Sequence, residues 1–304
     1  MNRREFSTWL AARRPPRLRG ARTPNSRLGH LTRFAGIGST GRKNRFSNRN
    51  CQSSIPIPIC GSVPDGGICS RTCCSIPAAA TTIVATVYME ARSMYRDQGS
   101  EEMRPVGETE FANGIAAMCS SGIYGKTRAC AAIVGHADLT LGNRVEPVLS
   151  ALMRAGGERF RGIRHGVSWD ADPSIVSPAS PVRAGLLADK TFREGVAVVG
   201  RLGLSYDVSL YHPQINDVAD LATAFPDIRI VLNHVGGLLG IGAYRGKLSE
   251  VFSSWAASIK ALAARPNVYV KLGGLGQGYN GFGFNERAEP PSSENAGRYI
   301  PHLR

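Results

Sequence analysis

Between residues 83 and 272 short apolar runs alternate with stretches of helical periodicity, and the runs repeatedly end in charged or histidine residues. Residues 83–88 (IVATVY) run into Glu90 and Arg92, and residues 129–134 into His136 and Asp138. Residues 160–163 lead to Arg164-His165, residues 205–210 to Tyr211-His212, and 230–232 to Asn233-His234. A sixth run, NVYVKL at 267–272, meets Gly273-Gly274. Between them, residues 108–121, 145–155, 190–202, 218–225 and 250–264 read as helices, with apolar residues recurring at three- and four-residue spacing. Strands joined by helical crossovers lie parallel, which makes the class α/β.

Polar residues gathered at the C-terminal ends of such strands point to a (β/α)8 TIM-barrel type of fold, whose sites are built from those ends. A doubly wound sheet is the alternative. The glycine fingerprint G-x-G-x-x-G expected after its first strand is missing, and Gly273-Gly274-Leu275-Gly276 after the last is a weak substitute.

The net charge of +14 would ordinarily suggest a nucleic-acid partner. Its distribution argues otherwise. Residues 1–50 hold 13 Arg and Lys against one acid, Glu5, while the rest holds 24 against 22. The basicity belongs to an arm without interleaved aromatic residues, so a nucleic-acid binder is not expected. The division expected is a basic, disordered arm (1–50), a cysteine-rich irregular segment (51–82) and a barrel-like part (83–304). Cys51, Cys60, Cys69, Cys73 and Cys74 lack the paired spacing and histidines of a usual zinc knuckle. No apolar run reaches the length of a bilayer span, so no membrane partner is expected. Arg3-Arg4 resembles a twin-arginine export start, but the apolar core that should follow is replaced by RRPPRLRG. A cytoplasmic location is therefore expected, with the periplasm as the alternative.

The run at 230–232 fits a buried strand that stops at a site, and Gly236-Gly237 allows tight backbone behind His234. By itself it fits a core histidine equally well. RGIRH (161–165), LYHPQ (210–214), FPDIRIVLNHVGG (225–237) and NVYVKLGGLG (267–276) together resemble the amidohydrolase-related family of the amidohydrolase superfamily. The resemblance covers residues 83 to about 293 and implies a hydrolase on a metal-holding barrel. In that family neutral imidazoles and a carboxylate hold a divalent ion, usually zinc, whose bound water drops to a pKa of about 7 and attacks a carbonyl.

Residue by residue, the resemblance makes His212 and His234 metal ligands and His234 the proton-transfer group. Arg164 and His165 become substrate-binding residues, with Arg92 a further candidate, and an arginine fork suits a substrate carboxylate. His136 and Asp138 read as loop or capping residues. The expected partner is a small carboxylated, lactone, ester or amide substrate, and a homo-oligomer stays open.

Two departures limit this. No H-x-H occurs, His30 and His302 stand apart, and the family's strand-eight Asp has no counterpart. One explanation is that residues 51–82 are read one base out of register. CQSSIPIPIC can be recoded in a neighbouring frame as PIIDPHPHLW, which restores H-x-H. A truncated C-terminus would account for the second. The alternatives on this scaffold are a damaged, inactive barrel with weak metal affinity, a metal-free lactonase and a decarboxylase.

Overall fold

The computed structural model describes residues 84–175, 182–287, 289 and 291. The arm, the cysteine-rich segment with its reading-frame expectation, His30 and His302 lie outside the described residues.

Six strands and five principal helices alternate: β1 (Ala85–Met89), α1 (Val106–Ser120), β2 (Arg128–His136), α2 (Glu146–Gly156), β3 (Phe160–Gly166) and α3 (Lys190–Arg201). Then follow β4 (Ser205–Ser209), α4 (Ile215–Ala224), β5 (Ile230–Leu232), α5 (Leu248–Leu262) and β6 (Val268–Val270). Every expected strand and helix is present. The boundaries move where local chemistry dictates. Pro105 has a φ of −60°, already helical, and starts α1 two residues ahead of Glu108. Pro213 sits in a 3₁₀ turn, His212–Gln214, that feeds straight into α4 and brings its start forward from Val218 to Ile215. Asp189 caps α3 by accepting the Phe192 amide at 2.8 Å.

The strands pair in parallel in the order β1-β2-β3-β4-β5-β6. Each crossover advances one strand in the same direction. A doubly wound sheet reverses its strand order midway, so that alternative is excluded.

The sheet curls. Lys271 directly follows β6, and its Nζ lies 3.1 Å from Sδ of Met89, the last residue of β1. In a flat sheet five spacings of ~4.8 Å would part these edges by about 24 Å, well beyond the reach of two side chains. The six strands therefore form a half-barrel of incomplete TIM type, with a concave face that we call the lumen.

Side chains alternate across the strands. Ile163 pairs in register with Tyr206 and Tyr206 with Ile230, and all three are fully buried toward the helices. Phe192 of α3 packs edge-on against Tyr206, with ring centroids 6.1 Å apart. The intervening positions, Arg164 beside Asp207 and Asp207 beside Val231, face the lumen.

Candidate active site

The backbone past β5 is unusual. His234, Val235, Gly236 and Gly237 have φ of 53°, 49°, 83° and 58°, four consecutive residues in the left-handed region. For a β-branched valine this is a true outlier, and each non-glycine residue there costs roughly 1–2 kcal/mol. Surrounding hydrogen bonds impose it. The amides of Val235, Gly236 and Gly237 donate to the carbonyls of Lys271 (3.2 Å), Asn233 (2.9 Å) and His234 (3.0 Å). The Gly237 carbonyl accepts from the His212 amide at 3.1 Å, and Trp255 Nε1 of α5 donates to the Val235 carbonyl at 2.7 Å. A Cβ on Gly237 would stand 2.1 Å from the Leu210 carbonyl oxygen, so the chain needs glycine there.

This turn fixes His234 at the lumen end of β5. Gly274, with φ of 84°, lies so close that an added Cβ would come within 2.5 Å of the His234 ring. The glycine cluster after β6 thus lets the next loop lie against the imidazole. Burial, then the charges of Arg164 and Lys271, hold the His234 pKa down to about 4, so the ring is neutral at physiological pH.

Those two cations, each half-buried, pair with two buried acids in a four-charge group that crosses the lumen. Arg164 of β3 donates from Nε to Glu90 Oε1 at 2.7 Å and from Nη2 to the Glu90 carbonyl, reaching over β2. Lys271 reaches over β5 to pair with Asp207 of β4. Burial pushes Asp207 up and Lys271 down, and each one's charge resists that push on the other. Asn233 completes this wall. It is almost wholly buried, and among the described residues neither atom of its side-chain amide has a hydrogen-bond partner.

His212, which follows β4, is also buried and neutral, with burial lowering its pKa to about 4 against the opposing charge of Asp170. Its Nδ1 lies 3.3 Å from the Leu239 amide nitrogen, and its ring meets Tyr244 edge-on at 5.2 Å. The Tyr244 hydroxyl donates to Asp170 at 2.8 Å. The His212 and Gly237 backbones are bonded, so the turns after β4 and β5 are locked together.

The remaining sequence candidates divide. Arg164 is in the lumen beside His234. His165, the next residue, faces the helix layer, where its ring packs edge-on against Phe192 at 5.2 Å and its Nδ1 accepts the Leu139 amide at 3.0 Å. Burial, then the neighbouring His136, lower its pKa to about 4. Arg92 is exposed, with φ of 57°, in the loop after β1. Glu108 of α1 anchors that loop, its Oε1 accepting from the Ala91 amide (2.7 Å), the Ser93 amide and hydroxyl (3.2 and 3.1 Å) and the Tyr88 hydroxyl (3.0 Å). Asp138 caps the turn after β2 by accepting the Thr140 amide at 2.9 Å, as its capping reading expects.

Sequence reasoning passed over Glu90, Asp207, Lys271 and Asn233. A signal for two of them was present, since Asp207 is the one charge within SYDVS and Lys271 is the one charge that closes the run NVYV. Such a residue is buried only with a partner.

Among the described residues, no three His, Cys, Asp or Glu side chains converge as a metal-ligand set. His212 and His234 alone do not make the four-coordinate arrangement of the resemblance.

A parallel half-barrel with its polar residues at the strand ends defines the class, and the comparisons with known proteins give the family. The family model for amidohydrolases matches residues 87–298, and the chain belongs to that family. An uncharacterized protein of Sinorhizobium fredii, y4mH, is 31% identical over 187 residues, which is 62% of this chain and 56% of that protein. The L-fucono-1,5-lactonase of Burkholderia multivorans is 30% identical over 151 residues, 48% of this chain and 44% of the lactonase. This chain thus spans about half the length of the curated relatives it matches. A solved amidohydrolase of Burkholderia multivorans with bound zinc aligns at 26% identity and a TM-score of 0.40, covering 54% of this chain and 49% of that one.

Proposed function

We propose that the protein is a hydrolase that adds water to the carbonyl carbon of a small carboxylated substrate, a lactone, ester or amide, at the lumen end of β4 to β6. The observation that carries this reading is His234, a neutral imidazole held in an imposed left-handed turn beside Arg164 and Lys271. A neutral imidazole accepts a proton, and strained residues concentrate at sites where geometry matters more than local stability.

The residues divide the work. Glu90 engages two of the guanidinium's five N–H donors, so Arg164 keeps others for a substrate carboxylate. An anion bound there offsets the cationic field on His234 and makes the imidazole a stronger base. The water oxygen bonds to the carbonyl carbon while its proton passes to His234. The proton then goes to the departing oxygen or nitrogen as the bond to the acyl carbon breaks. The family membership and the lactonase relative support a hydrolase.

The test is a panel of lactones, esters and amides with and without a carboxylate, assayed with the full chain and with His234→Ala. The substitution is expected to lower kcat roughly 10²–10⁴-fold. A chain that hydrolyses none of them, or a variant as active as the parent, would sink the proposal.

A further inference from the structure

The two luminal ion pairs use different cations. Glu90 is paired with a guanidinium, which keeps its charge in any surroundings, whereas Asp207 is paired with an amine, which a desolvating site can strip of its proton. The amine is firmly placed. Lys271 Nζ pairs with Asp207 and lies 3.1 Å from Met89 Sδ, so it stands inside the curl between β4 and β1. Asp207 is in register with Arg164 on the adjacent strand, about 4.8 Å away along the hydrogen-bonding direction, so lysine and arginine flank one carboxylate. These surroundings suit an ammonium poorly. A thioether is a weak acceptor, and Arg164 repels a second cation. Burial first of all holds the Lys271 amine below its ordinary range and the Asp207 carboxyl above its own, and both shifts favour moving the proton from nitrogen to oxygen. A desolvated lysine beside another cation is an activated nucleophile. Lys271 is also the reachable member of the pair, its side chain 23% exposed against 2% for Asp207.

We infer that Lys271 is a Schiff-base site for a small 2-oxo carboxylate, whose carbonyl carbon meets Nζ while its carboxylate meets Arg164. The ammonium proton passes to Asp207, and the nitrogen lone pair then attacks the carbonyl carbon. A C–N bond forms, the C=O π pair moves to oxygen, and Asp207 gives that oxygen the proton. The nitrogen returns a proton to Asp207, which passes it to the hydroxyl. The C–O bond breaks, water leaves and a protonated imine remains. The ammonium and the oxo acid have become the iminium and water, with no oxidant or reductant. The iminium keeps the single positive charge that the ammonium had, and Asp207 ends as the carboxylate paired with it, so the buried charge balance is the same before and after. That is the energetic reason for placing a nearly sealed acid behind this amine, since a buried charge left unpaired is costly. The inference goes beyond the hydrolase reading and shares with it only the carboxylate contact at Arg164.

The experiment treats the full chain with glyoxylate, or with acetaldehyde as its uncharged match, in the presence of sodium cyanoborohydride, which reduces an imine to a stable secondary amine. Intact mass and peptide mapping read the product. The expected result with glyoxylate is one carboxymethyl group per chain, on Lys271, before any other lysine reacts. The lead of Lys271 over the other lysines should be about tenfold larger with glyoxylate than with acetaldehyde, the scale of a hydrogen bond to a charged group. Lys271→Arg keeps a cation for Asp207 but forms no imine, and is expected to lose this adduct while its circular dichroism stays parental. Mapping of the parent chain decides the site even if that variant does not fold. Glyoxylate adducts spread over other lysines with Lys271 unmodified, or no adduct at all, overturn the inference, and an equal lead with both aldehydes overturns the assignment of a 2-oxo carboxylate. Trapping at Lys271 in a chain that hydrolyses no lactone, ester or amide removes the hydrolase reading alone, whereas hydrolysis without trapping removes this inference alone.

Discussion

Arg164 of β3 donates to Glu90, just past β1, at 2.7 Å, across the whole width of β2. This bond, with the Lys271–Asp207 pair that spans β5, clamps next-nearest strands together on the concave side. Both pairs lie on the concave face, where curling brings next-nearest strands closer than the ~9.6 Å of two flat spacings. The same charges that hold the curl set the field at His234.

Arg164 is expected to serve both shape and substrate. In Arg164→Lys the ammonium keeps the charge but loses the planar fork that reaches the Glu90 carboxylate and carbonyl together. We expect KM for carboxylated substrates to rise about tenfold, with a much smaller change for uncharged analogues, measured by steady-state kinetics on matched pairs. Equal effects on both substrate types would mean that Arg164 does not meet the carboxylate.

The Asp207–Lys271 pair is nearly sealed from water on the acid side, Asp207 being only 2% exposed. Removing one partner leaves an uncompensated buried charge, so Asp207→Ala should cost roughly 3–5 kcal/mol in urea unfolding. Asp207→Leu combined with Lys271→Met should recover most of that loss, because a buried ion pair can be replaced by apolar side chains of similar size. A double variant as unstable as the single one would show that the pair holds more than its own two charges.

Strand order, helix placement and the position of His234 were legible in the sequence because they follow from local periodicity and from polar residues where apolar runs stop. The luminal network was not. Glu90 and Arg164 are 74 residues apart, and Met89 and Lys271 are 182 apart, so their contacts depend on sheet curvature that no local pattern encodes. His165 shows the limit most sharply. It adjoins Arg164 in RGIRH, yet strand alternation sends it to the other face, against Phe192. The turn at His234 was half legible: Gly236-Gly237 announced tight backbone, but nothing local foretold that Val235 adopts a positive φ as well.

That turn supplies an internal control. Val235→Gly removes an unfavourable left-handed valine and is expected to change folding stability by less than about 1 kcal/mol, the gain at φ offsetting lost packing and added chain entropy. Gly237→Ala drives a Cβ against the Leu210 carbonyl oxygen at a φ of 58°, at an expected cost of about 2–3 kcal/mol. Because the Gly237 carbonyl carries the His212 amide, this variant should also lose activity. Unfolding curves and turnover read together test both, and a Gly237→Ala protein with parental stability would show that the backbone relaxes freely.

His165 gives the chain a predicted acid lability of definite sign. Its folded pKa is depressed from 6.5 to about 4, by burial first and the His136 charge second. The unfolded chain therefore binds a proton at a pH where the folded chain does not, and folding stability must fall as pH drops from about 6.5 toward 4. A depression of this size corresponds to loss on the order of 3 kcal/mol over that window, at 1.36 kcal/mol per unit, with no further contribution below the folded pKa. His165→Phe keeps a ring against Phe192 but forfeits the acceptor for the Leu139 amide, so it should be less stable than the parent at pH 7.5 by about 1–3 kcal/mol. The informative quantity is the slope. Urea denaturation at intervals from pH 7.5 to 4.5 should show the gap between variant and parent narrowing as pH falls, because only the parent pays to keep this imidazole neutral. A gap that stays constant across the window would mean that His165 titrates alike in the folded and unfolded chains.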